Sequence, residues 1–123
     1  MNEKVKDRLG HISVAIQDIR SLLDAKTIDH LRTDRFARAA FERFLEIVSE
    51  ASRHIPAEWK ATDAPDIDWP AVANLGNIIR HVYQRVDLDI LWSVYEDDLG
   101  PLEAAIDVMT ERHFPEPPSG SEP

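Results

Sequence analysis

The sequence predicts an all-α protein, an antiparallel bundle of four to five helices. Three observations predict it. Apolar residues recur at steps of three and four through most of the chain. No segment alternates apolar and polar residues with the period of a half-buried strand. Prolines and turn residues punctuate the periodic stretches, marking where one helix gives way to the next.

The first helix is expected over roughly residues 3 to 24, where Val5, Leu9, Ile12, Ile16, Ile19 and Leu23 make one apolar stripe. Residues 26 to 32 read as a connector. Thr33 is placed to cap a second helix, with Asp34 in the first turn, where a negative charge complements the helix dipole. The stripe of that helix is Phe36, Ala40, Phe44, Ile47 and Ala51, and Pro56 stops it. Residues 56 to 68 carry prolines, aspartates and Trp59 without an apolar period, and read as a long loop.

Asp68 ahead of Pro70 is a helix start, because a proline in the first turn loses no needed donor. The third helix is expected from about Trp69 to Arg85, with Val72, Leu75, Ile79, Val82 and Val86 inward. A fourth begins near Asp87 and carries Leu88, Leu91, Trp92 and Tyr95, with Gly100-Pro101 breaking it. A fifth covers about Leu102 to Met109, with Ala105 and Ile106 inward.

At 123 residues the chain suits one domain, expected over residues 1–113, with 114–123 as a disordered tail rich in Pro, Ser and Gly. Cysteine is absent, which excludes disulfides and thiolate metal sites. The first residues alternate charges without an apolar signal core, and no apolar run approaches the ~20 residues of a membrane span. A soluble, cytoplasmic protein is expected. The formal net charge of −9 argues against a protein that coats nucleic acid nonspecifically, though it permits a local basic cleft. Ten of the fourteen basic residues are arginine, whose planar fork suits phosphate, although genomic base composition also explains that ratio.

The third helix is the informative one. Opposite its apolar stripe fall Asn74, Asn77, Arg80, His81 and Gln84. Such a face is ordinarily just solvated. This one lacks Lys, Glu and Asp, and sets a titratable imidazole beside a phosphate-binding guanidinium, the pair that RNA cleavage uses. Gly76 lies within the helix, at a cost of roughly 1 kcal/mol relative to alanine. It marks close backbone approach or a kink, with Gly76, Arg80 and Tyr83 on one flank where a neighbouring helix or a partner subunit could approach; plain packing explains it equally well.

The stretch from Trp69 to Asp87, containing Gly76-Asn77-Ile78-Ile79-Arg80-His81-Val82-Tyr83, resembles the signature of HepT-like proteins, a branch of the HEPN superfamily. Residues 33–51 resemble that family's second helix, and Ile90-Leu91-Trp92 also agrees. The family motif is an arginine, usually followed by asparagine, with a histidine five positions after the arginine and a tyrosine two further on. Asn77, His81 and Tyr83 match it. The arginine position holds Gly76, and Arg80 is the nearby guanidinium that can substitute.

The resemblance implies a HEPN-like bundle paired as a twofold homodimer, with the motif helices of both copies lining a cleft. It implies the toxin of a type VII toxin–antitoxin system, a metal-independent endoribonuclease needing no cofactor. His81 would move the 2′-OH proton or protonate the leaving oxygen. An arginine, here Arg80, would stabilise the charged phosphorus, and Asn77 would orient the phosphate. The implied partner is an MntA-type nucleotidyltransferase antitoxin that neutralises the toxin by transferring AMP to Tyr83. The alternatives are a catalytically inactive HEPN-like dimer that binds the transferase or a nucleotide, and a purely structural helical dimer.

Elsewhere the chain offers little chemistry. His11, His30, His54 and His113 lack ligand-like spacing and read as surface or capping residues. Asp87-Leu88-Asp89 and Glu96-Asp97-Asp98 read as solvated caps at helix ends rather than magnesium ligands. Trp59, Trp69 and Trp92 read as packing or hinge residues, with base stacking open only to Trp59.

Overall fold

A computed structural model of the chain describes residues 2–81 and 88–116, and for Asn2 and His81 the backbone alone. Among the described residues the secondary structure is entirely helical. Helix α1 spans Asn2–Leu23, α2 Ile28–Thr33, α3 Arg35–Ser52, α4 Ala57–Asp63, α5 Trp69–His81, α6 Leu88–Ser93 and α7 Leu99–His113. A single π-helical turn, Val94–Asp98, joins α6 to α7 without a break, with the Leu99 N–H bonded to the Val94 carbonyl. The result is the expected helical bundle. α1 packs on both α3 and α7, and α3 lies between α1 and α5.

The α1 stripe forms as the periodicity predicts. Leu9, Ile12, Ile16, Ile19 and Leu23 are buried, and Val5, near the start of the helix, is half-buried. The helix closes on Ala25, whose φ of 58° is left-handed, and the Lys26 N–H bonds the Leu23 carbonyl at 2.9 Å.

The second expected helix needs two corrections. Its cap is Asp34, which accepts the N–H groups of Phe36 and Ala37 at 3.0 and 3.1 Å. Thr33 is the last residue of α2, and its hydroxyl is engaged with the Asp29 carbonyl at 2.9 Å. The buried face is Ala37, Phe41, Leu45, Val48 and Ala51, while Phe36 is 74% exposed. Phe44 and Ile47 flank that face and are half-buried.

Three further expectations change. The connector contains α2, and the long loop contains α4, with Trp59 on it. Gly100-Pro101 does not end a helix. It lies just after the π turn, at the start of α7 within a continuous helical run, where the proline cannot donate a helical hydrogen bond of its own. Glu96, Asp97 and Asp98 are exposed as expected, but they sit in the π turn inside a continuous helical run rather than at a helix end. Ala105 and Ile106 are buried as predicted, and α7 continues past Met109 to His113. No helix among the described residues is long and apolar enough to cross a membrane.

Candidate active site

Helix α5 carries the motif, and its start is fixed by the local sequence. The Asp68 carboxylate accepts the Ala71 N–H at 3.1 Å, and the Trp69 indole N–H donates to the Ala64 carbonyl at 3.0 Å in the core. Trp69 and Ile79 are buried, and Val72 and Leu75 are half-buried. Val82 and Val86 of the expected stripe lie outside the described residues, as do Tyr83, Gln84 and the tail from residue 117. The side chain of His81 is likewise outside them. The backbone puts His81 at the C-terminal end of α5, directly after Arg80.

The polar face is where the sequence puts it. Asn74, Asn77 and Arg80 are exposed, and the Asn77 amide donates to Asn74 Oδ1 at 3.3 Å. Gly76 turns the other way and is buried against α3. Its N–H donates to Ser49 Oγ at 3.0 Å, and the Ser49 hydroxyl donates to the Ala73 carbonyl at 2.7 Å. Arg53 adds two donors to the same carbonyl, from Nε at 3.3 Å and Nη2 at 2.9 Å. This polar seam is the close approach that a glycine inside a helix signals.

The space above Gly76 is occupied. A Cβ at that position would lie 3.1 Å from Arg80 Nη1 and 3.3 Å from Ser49 Oγ. Arg80 therefore folds back along α5 by one turn, and its guanidinium rests where a side chain at position 76 would leave the helix. Asn77, adjacent in sequence, and the exposed guanidinium give this flank an anion-binding character.

The matching family model is that of HepT-like ribonucleases, over residues 12–109. The chain belongs to the HepT-like ribonuclease family. It is 30% identical over 109 residues to "Probable ribonuclease HepT" of Thermococcus cleftensis, covering 89% of this chain and 98% of that protein. It is 32% identical over 112 residues to a Methanocaldococcus jannaschii protein named "Gamma-glutamylcyclotransferase and putative RNase", covering 90% of this chain and 50% of the relative. No solved structure matches significantly. The Arg80 guanidinium fills the space that a side chain at position 76 would take.

Two features escaped the sequence. One is the Ser49–Arg53 seam, two polar residues of α3 that read only as part of an amphipathic helix. The other joins α4 to the end of α7. Asp63, with its side chain 1% exposed, receives Arg112 Nη1 at 2.6 Å and His113 Nε2 at 2.7 Å. Burial pushes the Asp63 carboxyl up, but hydrogen bonds from His113, Arg112 and Thr62, with the Arg112 charge, outweigh it and hold the group below its ordinary value. His113 and Trp59 are therefore structural partners; no sequence spacing brings residues fifty positions apart together. His11 and His54 are exposed and His30 is half-buried.

A groove of about 510 Å³ runs between α5 and the α6–α7 run, lined by Val72, Leu75, Ile78, Ile90, Val94 and Pro101 among others. Among the described residues there is no cluster of His, Asp and Glu of a kind that could hold a metal ion.

Proposed function

We propose that this HepT-like chain is a metal-independent endoribonuclease of the toxin type, acting as a homodimer. The observation that carries it is the Arg80 guanidinium lying over Gly76, which supplies an arginine at the motif position where the sequence has none. Asn77 is one turn from Ala73 on the same helix and orients the phosphate. His81 follows Arg80 and acts as the proton-transfer group.

The chemistry requires a ribose 2′-OH. His81 takes its proton as the 2′ oxygen forms a new bond to phosphorus, and the bond to the 5′ oxygen breaks. A protonated histidine, from the second copy of the pair, gives that leaving oxygen its proton, and a 2′,3′-cyclic phosphate remains. Arg80 stabilises the negative charge that builds on phosphorus oxygens between those events. Dependence on the 2′-OH restricts the reaction to RNA. Arg80 and His81 differ by about 100° around one helix, so a twofold pair, repeating each residue in one cleft, assembles the complete set.

The regulatory partner in this reading is a nucleotidyltransferase antitoxin of the MntA type. AMP transferred to Tyr83 would place a phosphate and a purine beside His81 and block substrate.

The test is RNA degradation by the purified chain in EDTA, with His81→Ala and Arg80→Ala run alongside. Cleavage that survives chelation and falls by about 10²–10⁴-fold in each variant supports the mechanism. Equal cleavage by all three proteins refutes it. Complete inactivity of the parent chain supports the second reading, a dimer that binds its transferase without cutting RNA. That reading draws on the glycine at the motif arginine and the net charge of −9.

A further inference from the structure

Two guanidiniums are tied to one flank of α5 by different means. Arg53, exposed at the end of α3, is bonded through Nε and Nη2 to the Ala73 carbonyl. Arg80, also exposed, reaches back to Gly76. The Ala73 carbonyl and the Gly76 N–H lie 2.7 and 3.0 Å from the same Ser49 hydroxyl, so the two anchor points are close together. Ser49 bonds to both anchor points, accepting from Gly76 and donating to Ala73, and so makes them parts of one rigid seam.

Arg20, Arg32, Arg38 and Arg112 each lie within 4 Å of a carboxylate. Among the described residues Arg53 and Arg80, like Arg8, Arg35 and Arg43, do not; what separates Arg53 and Arg80 is that both converge on the Ser49 seam. Glu50, one turn before Arg53, faces His54 instead, at 3.4 Å. Two exposed guanidiniums thus stand together without an acidic partner in a chain of net charge −9. Arg53 uses two of its five N–H donors on Ala73, which leaves donors for a second acceptor while the fork is held in place.

We infer that Arg53 and Arg80 bind two neighbouring phosphodiesters of one RNA strand. This deepens the ribonuclease reading and rests on it. Arg80 holds the phosphate that reacts, and Arg53 holds the next one along, so Arg53 is a substrate-binding residue that touches no reacting atom. Gly76 is the positioning residue, because a larger side chain there would push the Arg80 guanidinium off the seam.

The experiment measures binding of a fluorescent single-stranded RNA to the full chain carrying His81→Ala, in EDTA, across a salt series. The slope of log affinity against log salt is expected to weaken by about 0.7 in Arg53→Gln, about 0.7 in Arg80→Gln and about 1.4 in the double variant. Arg53→Lys, which keeps the charge, is expected to keep the slope. Thermal unfolding of each variant is read in parallel. An Arg53→Gln chain with a lowered Tm and an unchanged slope would show a structural residue and overturn the inference. That result, with cleavage by the chain retaining His81 intact, leaves the ribonuclease reading standing. No RNA binding by the His81→Ala chain and no cleavage by the chain with His81 would overturn both.

Discussion

The indole of Trp59 stacks face to face on the imidazole of His113, with ring centroids 3.7 Å apart and planes within 1° of parallel. The same imidazole donates to the buried Asp63 carboxylate at 2.7 Å, and Arg112 donates to its other oxygen at 2.6 Å. Helix α4 is thereby pinned to the end of α7. Asp63→Ala removes the acceptor for both donors and is expected to cost about 2–3 kcal/mol, read as a lowered urea midpoint with an unchanged slope. His113→Ala should cost less, since Arg112 keeps its partner.

The acid side of the stability profile follows from the same carboxyl. Its folded pKa is below the ordinary 3.8. Its contribution is therefore complete above that ordinary value and is lost as pH falls through the lower, folded one. Thermal unfolding of the parent and Asp63→Asn should differ most above the ordinary carboxyl value of 3.8 and converge as pH falls below it through the lower, folded value. A gap that stays constant into that range would show that the carboxylate charge contributes nothing.

The phase of α3 makes a clean contrast between two phenylalanines. Phe41 is fully buried and Phe36 is 74% exposed. Phe41→Ala should destabilise by about 3–5 kcal/mol through lost burial and a cavity. Phe36→Ala should fall within about 0.5 kcal/mol of the parent. Chemical denaturation of the two variants decides it, and equal losses would place the helix in the other register.

Activity offers a swap. If Arg80 supplies the guanidinium absent at position 76, Arg80→Ala should lower RNA cleavage by about 10²–10³-fold. Arg80→Ala vacates the 3.1 Å contact with Arg80 Nη1, so Gly76→Arg added to that variant meets only Ser49, with Oγ at 3.3 Å, which must give slightly, and Cβ at an ordinary 3.6 Å. Partial recovery of cleavage in the double variant is the expected outcome. No recovery in a folded double variant would mean that the two positions serve different atoms.

Much of this architecture was legible in the residues. The α1 stripe is unambiguous because Leu9, Ile12, Ile16 and Ile19 are separated mainly by polar and small residues, Val14 being the one large apolar side chain between them and exposed. The α3 stripe was legible as a helix but not in phase. Ala37, Phe41, Leu45 and Val48 follow the predicted residues by one position, and both sets are apolar. Ser49 and Ser52, buried against neighbouring elements, carry no apolar signal to break the tie. Helices α2 and α4, of 6 and 7 residues, are too short to show a period. At the site, the polar face of α5 was readable and so was the oddity of Gly76. The position of the Arg80 guanidinium was not, because a rotamer that lies back one turn depends on the space a neighbour leaves. Arg53 was missed for the same reason, since its partner is a backbone carbonyl 20 residues away.

The π turn between α6 and α7 sets a phase. Along this run Leu91, Val94, Leu99, Leu102, Ala105, Ile106 and Met109 are buried, and the step from Val94 to Leu99 is five residues, where an ordinary α-helix would put Asp98 inward. The extra residue in the wide turn keeps a carboxylate outside and a leucine inside. The wide turn has the form of a one-residue insertion into a continuous helix. Deleting one residue of 95–98 would let it close to an ordinary turn, with Leu99 then four residues after Val94 and still inward. Adding one residue to the regular helix after Leu99 has no such outlet: it would rotate everything downstream by about 100°, swinging Met109 out of the core and carrying Arg112 and His113 away from Asp63. The run tolerates the loss of a residue at one place and punishes the gain of one a turn later.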